Sequence, residues 1–210
     1  MSSPTETPQI AAPPPGFDPV AFWYSHKGKI LALGALFVVA LAAYSIQQFI
    51  ENRAQVRSVR DFARAKTPDD FKKVIAEHGH TVAAGNAQLR LAELQRNEGK
   101  LDEATATLKA FAAENSKHPL VAGAWLGIGA NQEAQAKIEE ALATYQKVAT
   151  TYPGSYAAPL ALLGQARLQK QKGQPDLAKR TYEQIATQFE NSDFAQQALQ
   201  ESRTLQKTAP

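Results

Sequence analysis

Apolar and small residues recur at a fixed step of 37 across the last two-thirds of the chain. Ala104, Ala141 and Ala178 are one register; Phe71, Leu108, Tyr145 and Tyr182 are a second. Val74, Phe111, Val148 and Ile185 form a third, Leu89, Leu126 and Leu163 a fourth, and Ala92, Gly129 and Ala166 a fifth. A period in this range marks a stacked repeat whose units bury their apolar faces only against their neighbours. Helical signals come in pairs within each period. Thr67-Pro68-Asp69-Asp70 reads as an N-cap, a proline at the first helical position and acids in the first turn. That helix ends near His78-Gly79. Further helices are predicted over 82–97, 101–114, 120–134, 138–151, 156–171, 176–189 and 193–207. Gly99, Pro119, Pro153-Gly154 and Gly173-Gln174-Pro175 punctuate them. No segment sustains period-2 alternation, so no sheet is expected.

A different pattern occupies the amino end. Residues 1–16 are rich in Pro, Ser and Thr and cannot bury a core. Residues 30–50 carry no charge and are bracketed by Lys29 and Glu51. As a helix those positions measure ~32 Å, about one hydrocarbon core. Trp23 and Tyr24, with Phe22, lie on one side of the run and Tyr44 and Phe49 on the other, where interfacial aromatics belong. Lys27 and Lys29 flank its amino side; Arg53, Arg57, Arg60 and Arg64 form a stripe beyond its carboxyl side. The expected organisation is a disordered tail over 1–21, a transmembrane anchor over 22–50, a basic juxtamembrane helix over 51–66 and a repeat domain over 67–207. Ala40-Leu41-Ala42 has the form of a signal-peptide cleavage site, but the run is longer than the usual ~7–15 residues of such a leader.

Charge sharpens this division. Residues 1–66 hold 7 Lys/Arg against 4 Asp/Glu, whereas residues 67–210 hold 16 of each. The excess positive charge sits beside the apolar run, which suits anionic headgroups. A neutral repeat domain argues against nucleic acid as a partner. With no cysteine, disulfides and thiol chemistry are excluded.

The periodic residues bring a family into view. Residues 122–153 resemble a tetratricopeptide repeat, with Trp125 in the bulky slot, Ile128-Gly129 as the small pair, then Ala141, Tyr145 and Pro153. Residues 85–116 fit with Leu91-Ala92, Gly99, Ala104 and Leu108; residues 159–190 fit with Ala166, Gly173, Ala178 and Tyr182. Phe71 and Val74 extend the register back into a lone second helix, and 193–207 reads as a lone first helix with a Gln-rich polar cap. The expected fold is therefore all-α: one transmembrane helix, then about three repeats with a half on each side.

Tail, single span, arginine-bearing helix and small repeat stack together resemble the ancillary subunit of the bacterial SecYEG translocon, the YfgM-like family. The lead-in Phe22-Trp23-Tyr24-Ser25-His26-Lys27-Gly28-Lys29 resembles that family's entry to its membrane helix. The resemblance implies a single-pass inner-membrane protein with a cytoplasmic amino terminus and a periplasmic repeat domain. It implies protein partners, namely the secretion channel and periplasmic chaperones or unfolded clients. The arginine stripe opposes that topology, because positive flanks favour the cytoplasm, although long domains translocate largely regardless of charge. A cytosol-facing anchored receptor and an oligomerisation module therefore stay open as alternatives.

No catalytic constellation emerges, and no cofactor, metal or small-molecule substrate is expected. His78-Gly79-His80 straddles a helix end, with no third ligand near it in sequence. Gly123, Gly127 and Gly129 lack the Lys-Ser/Thr and the preceding strand of a phosphate loop and read as packing positions. First helices line the concave face of such stacks. The candidate partner groove is accordingly Asn86, Arg90, Glu93, Arg96, Glu133, Arg167 and Lys170.

Overall fold

The computed structural model describes residues 19–79 and 81–208. Most of the expected tail and His80 lie outside that range. Among the described residues there are nine helices and no strand: α1 (Pro19–Arg64), α2 (Pro68–His78), α3 (Val82–Asn97), α4 (Leu101–Glu114), α5 (Val121–Ala134), α6 (Ile138–Thr151), α7 (Ala157–Gln171), α8 (Pro175–Gln188) and α9 (Asp193–Thr208). The chain divides into two units, one ending at Asn52 and one beginning at Arg53.

In the first unit α1 is already helical at Pro19, before the expected start of the anchor at residue 22. Its apolar face is uncovered all round: Leu31, Leu33, Leu36, Phe37, Val38 and Val39 each expose 63–66% of their surface. The helix is long and apolar enough to cross a membrane, with a mean hydropathy of 2.1 in its most apolar window. At the amino end the Phe22 ring stacks on His26, and the Lys27 ammonium sits over the Tyr24 ring.

The second unit takes in the last turns of α1. Ser58 is fully buried, and Phe62 packs against Phe71 and Val74 of α2. Residues 53–64 thus share a core with the repeats, although their sequence reads as a basic strip. Thr67 caps α2 through a capping box: its hydroxyl accepts from the Asp70 amide, and the Asp70 carboxylate accepts from the Thr67 amide. From α2 onward each helix packs on its neighbours in the chain, while α5 also meets α7 and α7 meets α9, so first helices form one layer.

Most of the 37-residue registers are the core. Ala104, Ala141 and Ala178 are fully buried, as are Phe111, Val148 and Ile185. Leu108, Tyr145 and Tyr182 are buried beside them. Leu89, Leu126 and Leu163 depart from this; they are only half-buried and pack at the margin of the clusters. A buried polar rung repeats with the same period. The hydroxyls of Thr107, Thr144 and Thr181 donate to the side-chain carbonyls of Gln95, Gln132 and Gln169 at 2.8, 2.6 and 2.8 Å. Each rung ties the two helices of one repeat and satisfies groups whose burial would otherwise cost about 1–3 kcal/mol apiece.

The turn inside each repeat requires a left-handed residue. Gly99 and Gly173 fill it with φ of 77° and 71°. In the middle repeat the same place holds Ala136 at φ 57°, where a methyl group costs roughly 1–2 kcal/mol relative to ordinary backbone.

Candidate functional site

The layer formed by α3, α5, α7 and α9 carries the polar side chains expected to face a partner. Most are engaged with one another. Arg90 and Glu93 pair one turn apart on α3. Glu133 on α5 and Arg167 on α7 are joined across repeats: the guanidinium Nε and Nη2 donate to Oε1 at 3.0 and 2.8 Å, and Nη2 also reaches Oε2 at 2.7 Å. Lys170 pairs with Glu201 of α9 at 3.4 Å. Asn86 is half-buried and Arg96 is exposed, with its charge felt at Glu133. The seven positions therefore form no uniform charged surface: Glu133 and Arg167 pair across the stack, Lys170 pairs across it with Glu201 from outside the seven, Arg90 and Glu93 pair along α3, and Asn86 and Arg96 complete the set.

The centre of this arrangement is Tyr145, whose role the sequence does not disclose beyond an aromatic slot. Its hydroxyl donates to Glu133 Oε2 at 2.7 Å. A Cβ placed on Gly129 would come within 2.6 Å of its ring, and one on Gly164 within 2.7 Å. Both glycines exist to admit the ring between α5 and α7. Gly127 likewise faces Leu108 and Gly123 faces Tyr156, so the glycine run is a packing surface. Burial drives the Tyr145 phenol upward, and the Glu133 carboxylate accepting its proton drives it further, so it stays protonated.

Burial also raises the Glu133 carboxyl, but the hydrogen bonds from Arg167 and Tyr145 outweigh it and hold the group below the usual carboxylate range. The sign for stability follows. A carboxyl lowered in the folded state stabilises it above the unfolded value, and loses that contribution as pH falls through the folded value. Glu133→Gln is expected to cost about 1 kcal/mol at neutral pH, a modest figure because the pair meets solvent. The gap between the two proteins in urea melts should narrow as pH falls through the folded carboxyl's lowered range and the wild-type group takes up its proton. A gap that stays constant over that fall in pH would show that the charge of Glu133 contributes nothing.

At the start of the unit His78 meets groups that its immediate sequence does not reveal. Its Nε2 lies 3.1 Å from Asp61 Oδ2, and with Glu77 the three offer ligand atoms within 4.8 Å of one another. The absence of a third donor near His78-Gly79-His80 thus fails in space, because the end of α1 brings Asp61 alongside. The His78 contact holds the Asp61 carboxyl below its ordinary value. Arg64 and Lys73 line the same recess as Asp61 and Glu77, and two cations beside the cluster oppose a third. Its evident work is to tie the end of α1 to α2.

The tetratricopeptide repeat model matches residues 86–118, 124–155 and 160–192. The repeat unit is a tetratricopeptide array. Its repeats coincide with the pairs α3–α4, α5–α6 and α7–α8, and α2 and α9 flank them. No curated protein matches the sequence. Among solved structures, a tetratricopeptide repeat protein from Parabacteroides merdae is similar at 17% identity and a TM-score of 0.53, covering 77% of this chain and 60% of that one. The type III secretion chaperone SycD of Yersinia enterocolitica, solved with a peptide of the translocator YopD, is similar at 18% identity and 0.49, covering 58% and 91%. PcrH from Pseudomonas aeruginosa is similar at 18% and 0.49, covering 69% and 97%. These likenesses are of fold.

Proposed function

We propose that the protein is a membrane-tethered scaffold whose tetratricopeptide array binds other polypeptides. The observation that carries this reading is the joining, in one chain, of an uncovered apolar helix to an array of an interaction fold. In water, exposure of Leu31 to Val39 on every side is costly; in a bilayer it costs nothing. Such an anchor restricts the array to two dimensions and raises its effective concentration near a partner in the same membrane, so weak contacts suffice. By its resemblance to the ancillary SecYEG subunit, the membrane is the bacterial inner membrane, the array is periplasmic, and the partners are the secretion channel and periplasmic chaperones or clients. A cytosol-facing receptor is the second reading, favoured by Arg53, Arg57, Arg60 and Arg64 directly after the apolar run.

Topology separates the two. Ser192 is unsuited to labelling because its hydroxyl caps α9, so single cysteines are placed at Ser3 and at exposed Gln200 of the cysteine-free chain. Intact cells are then treated with a membrane-impermeant thiol reagent. Labelling at 200 and not at 3 is the expected result; labelling at 3 alone would move the array to the cytosol. A photo-crosslinker at Arg96 should then yield a discrete adduct with a channel or chaperone protein. If it gives none from any site on α3, α5 or α7, the scaffold reading fails.

A further inference from the structure

The array contains two versions of one inter-repeat contact, and the second lacks a group that the first has. A step of 37 carries Tyr145 to Tyr182 and Glu133 to Lys170; a step of 34 carries Arg167 to Glu201. In the first version the Tyr145 hydroxyl donates to the Glu133 carboxylate, which Arg167 clasps from the next repeat. In the second the charges are reversed. An ammonium group stands where the carboxylate stood, and an ammonium cannot accept a hydrogen bond. The Tyr182 side chain is only 4% exposed, yet its hydroxyl has no hydrogen-bond partner among the described residues. It lines a recess of about 410 Å³ with Leu163, Arg167, Lys170, Gln197 and Glu201. The ring is enclosed while the hydroxyl opens on the recess, where an incoming acceptor can reach it.

We infer that this recess receives the carboxylate of a Glu or Asp side chain from a partner polypeptide, which does for Tyr182 what Glu133 does for Tyr145 one repeat earlier. The carboxylate accepts from the Tyr182 hydroxyl and from the Lys170 ammonium. Lys170 gives up little to do so, since its pair with Glu201 is long and both groups are substantially exposed. Leu163 offers an apolar wall to the side-chain stem, and Gln197 a carboxamide that can serve the peptide backbone. A polypeptide uses all three features, whereas a free small anion would use only the donors. Glu201 is the internal competitor, so its neutralisation opens the recess. This inference rests on the scaffold reading and names the chemistry of its ligand.

The test uses the full chain in detergent micelles, labelled with 3-fluorotyrosine and observed by fluorine NMR at constant ionic strength. Tyr182→Phe identifies the resonance of Tyr182 among the six tyrosines. The probe is the blocked peptide acetyl-Ala-Glu-Ala-Glu-Ala-amide, with its Gln twin as control. A saturable shift of the Tyr182 signal with the Glu peptide alone is expected. Lys170→Gln should weaken binding about tenfold, the loss of one charge-assisted hydrogen bond. Glu201→Gln should tighten it several-fold, which a merely structural role would not do. A Tyr182 signal that ignores the Glu peptide, or answers both peptides alike, overturns the inference. If partner adducts still form at Arg96 in that case, the scaffold reading survives it; if they too are missing, both fall.

Discussion

Replacing Tyr145 by alanine is expected to produce the largest loss of stability of any single substitution in the array, about 3–5 kcal/mol. The ring fills a slot walled by Gly129 and Gly164, and neither glycine has a side chain that could relax into the void. The substitution also leaves Glu133 without the Tyr145 hydroxyl. Tyr145→Phe keeps the ring and should cost only about 1 kcal/mol, the worth of an ordinary hydrogen bond. Gly129→Ala probes the same slot from the other side. Alanine is the better helix former by about 1 kcal/mol, yet its methyl would stand 2.6 Å from the ring, and overpacking costs about 1–3 kcal/mol. The clash should win, and in a Tyr145→Ala background the sign should reverse. Urea melts followed by circular dichroism would measure all four proteins. A Tyr145→Ala cost near 1 kcal/mol would mean that the slot collapses and that its shape is unimportant.

The second large effect concerns the anchor. Leu36→Asp combined with Val39→Asp should abolish membrane association, because each acid near the centre of a span costs roughly 2.5–3.5 kcal/mol on insertion scales. Both positions lie in the uncharged run. The variant should leave the membrane pellet after carbonate extraction while its array stays folded. Retention of both acids in the pellet would show that the chain is held by something other than this helix, and the tether would have to be sought elsewhere.

Helix positions were legible because three signals agree: the recurring apolar step, the cap at Thr67, and the glycine turns. The two ends of the array were harder. Residues 53–64 read as a strip of arginines, and the buried Ser58 and half-buried Phe62 show that they belong to the packed unit. Polar positions were the weakest part of the reading for a physical reason. Glutamine and threonine are mostly exposed in proteins, so a 37-residue register of Gln95, Gln132 and Gln169 looks like surface until its partners are seen across the hairpin. Glu133 and Arg167 look like groove residues because nothing in a linear sequence says that helices α5 and α7 bring them together. The signal that could have found them is the same step that found the core: Tyr145 and Tyr182 share a register, while Glu133 is replaced by Lys170.

The glutamine–threonine rungs also bear on when the array can form. Their partners are separated by only 12 residues and lie in the same repeat. A hairpin closed in this way completes its own buried polar pairs without waiting for the next. Local contacts of this kind assemble quickly. A chain emerging amino end first can therefore set α3 on α4 while α5 is still to come, and no buried glutamine waits for a threonine that has not yet been delivered.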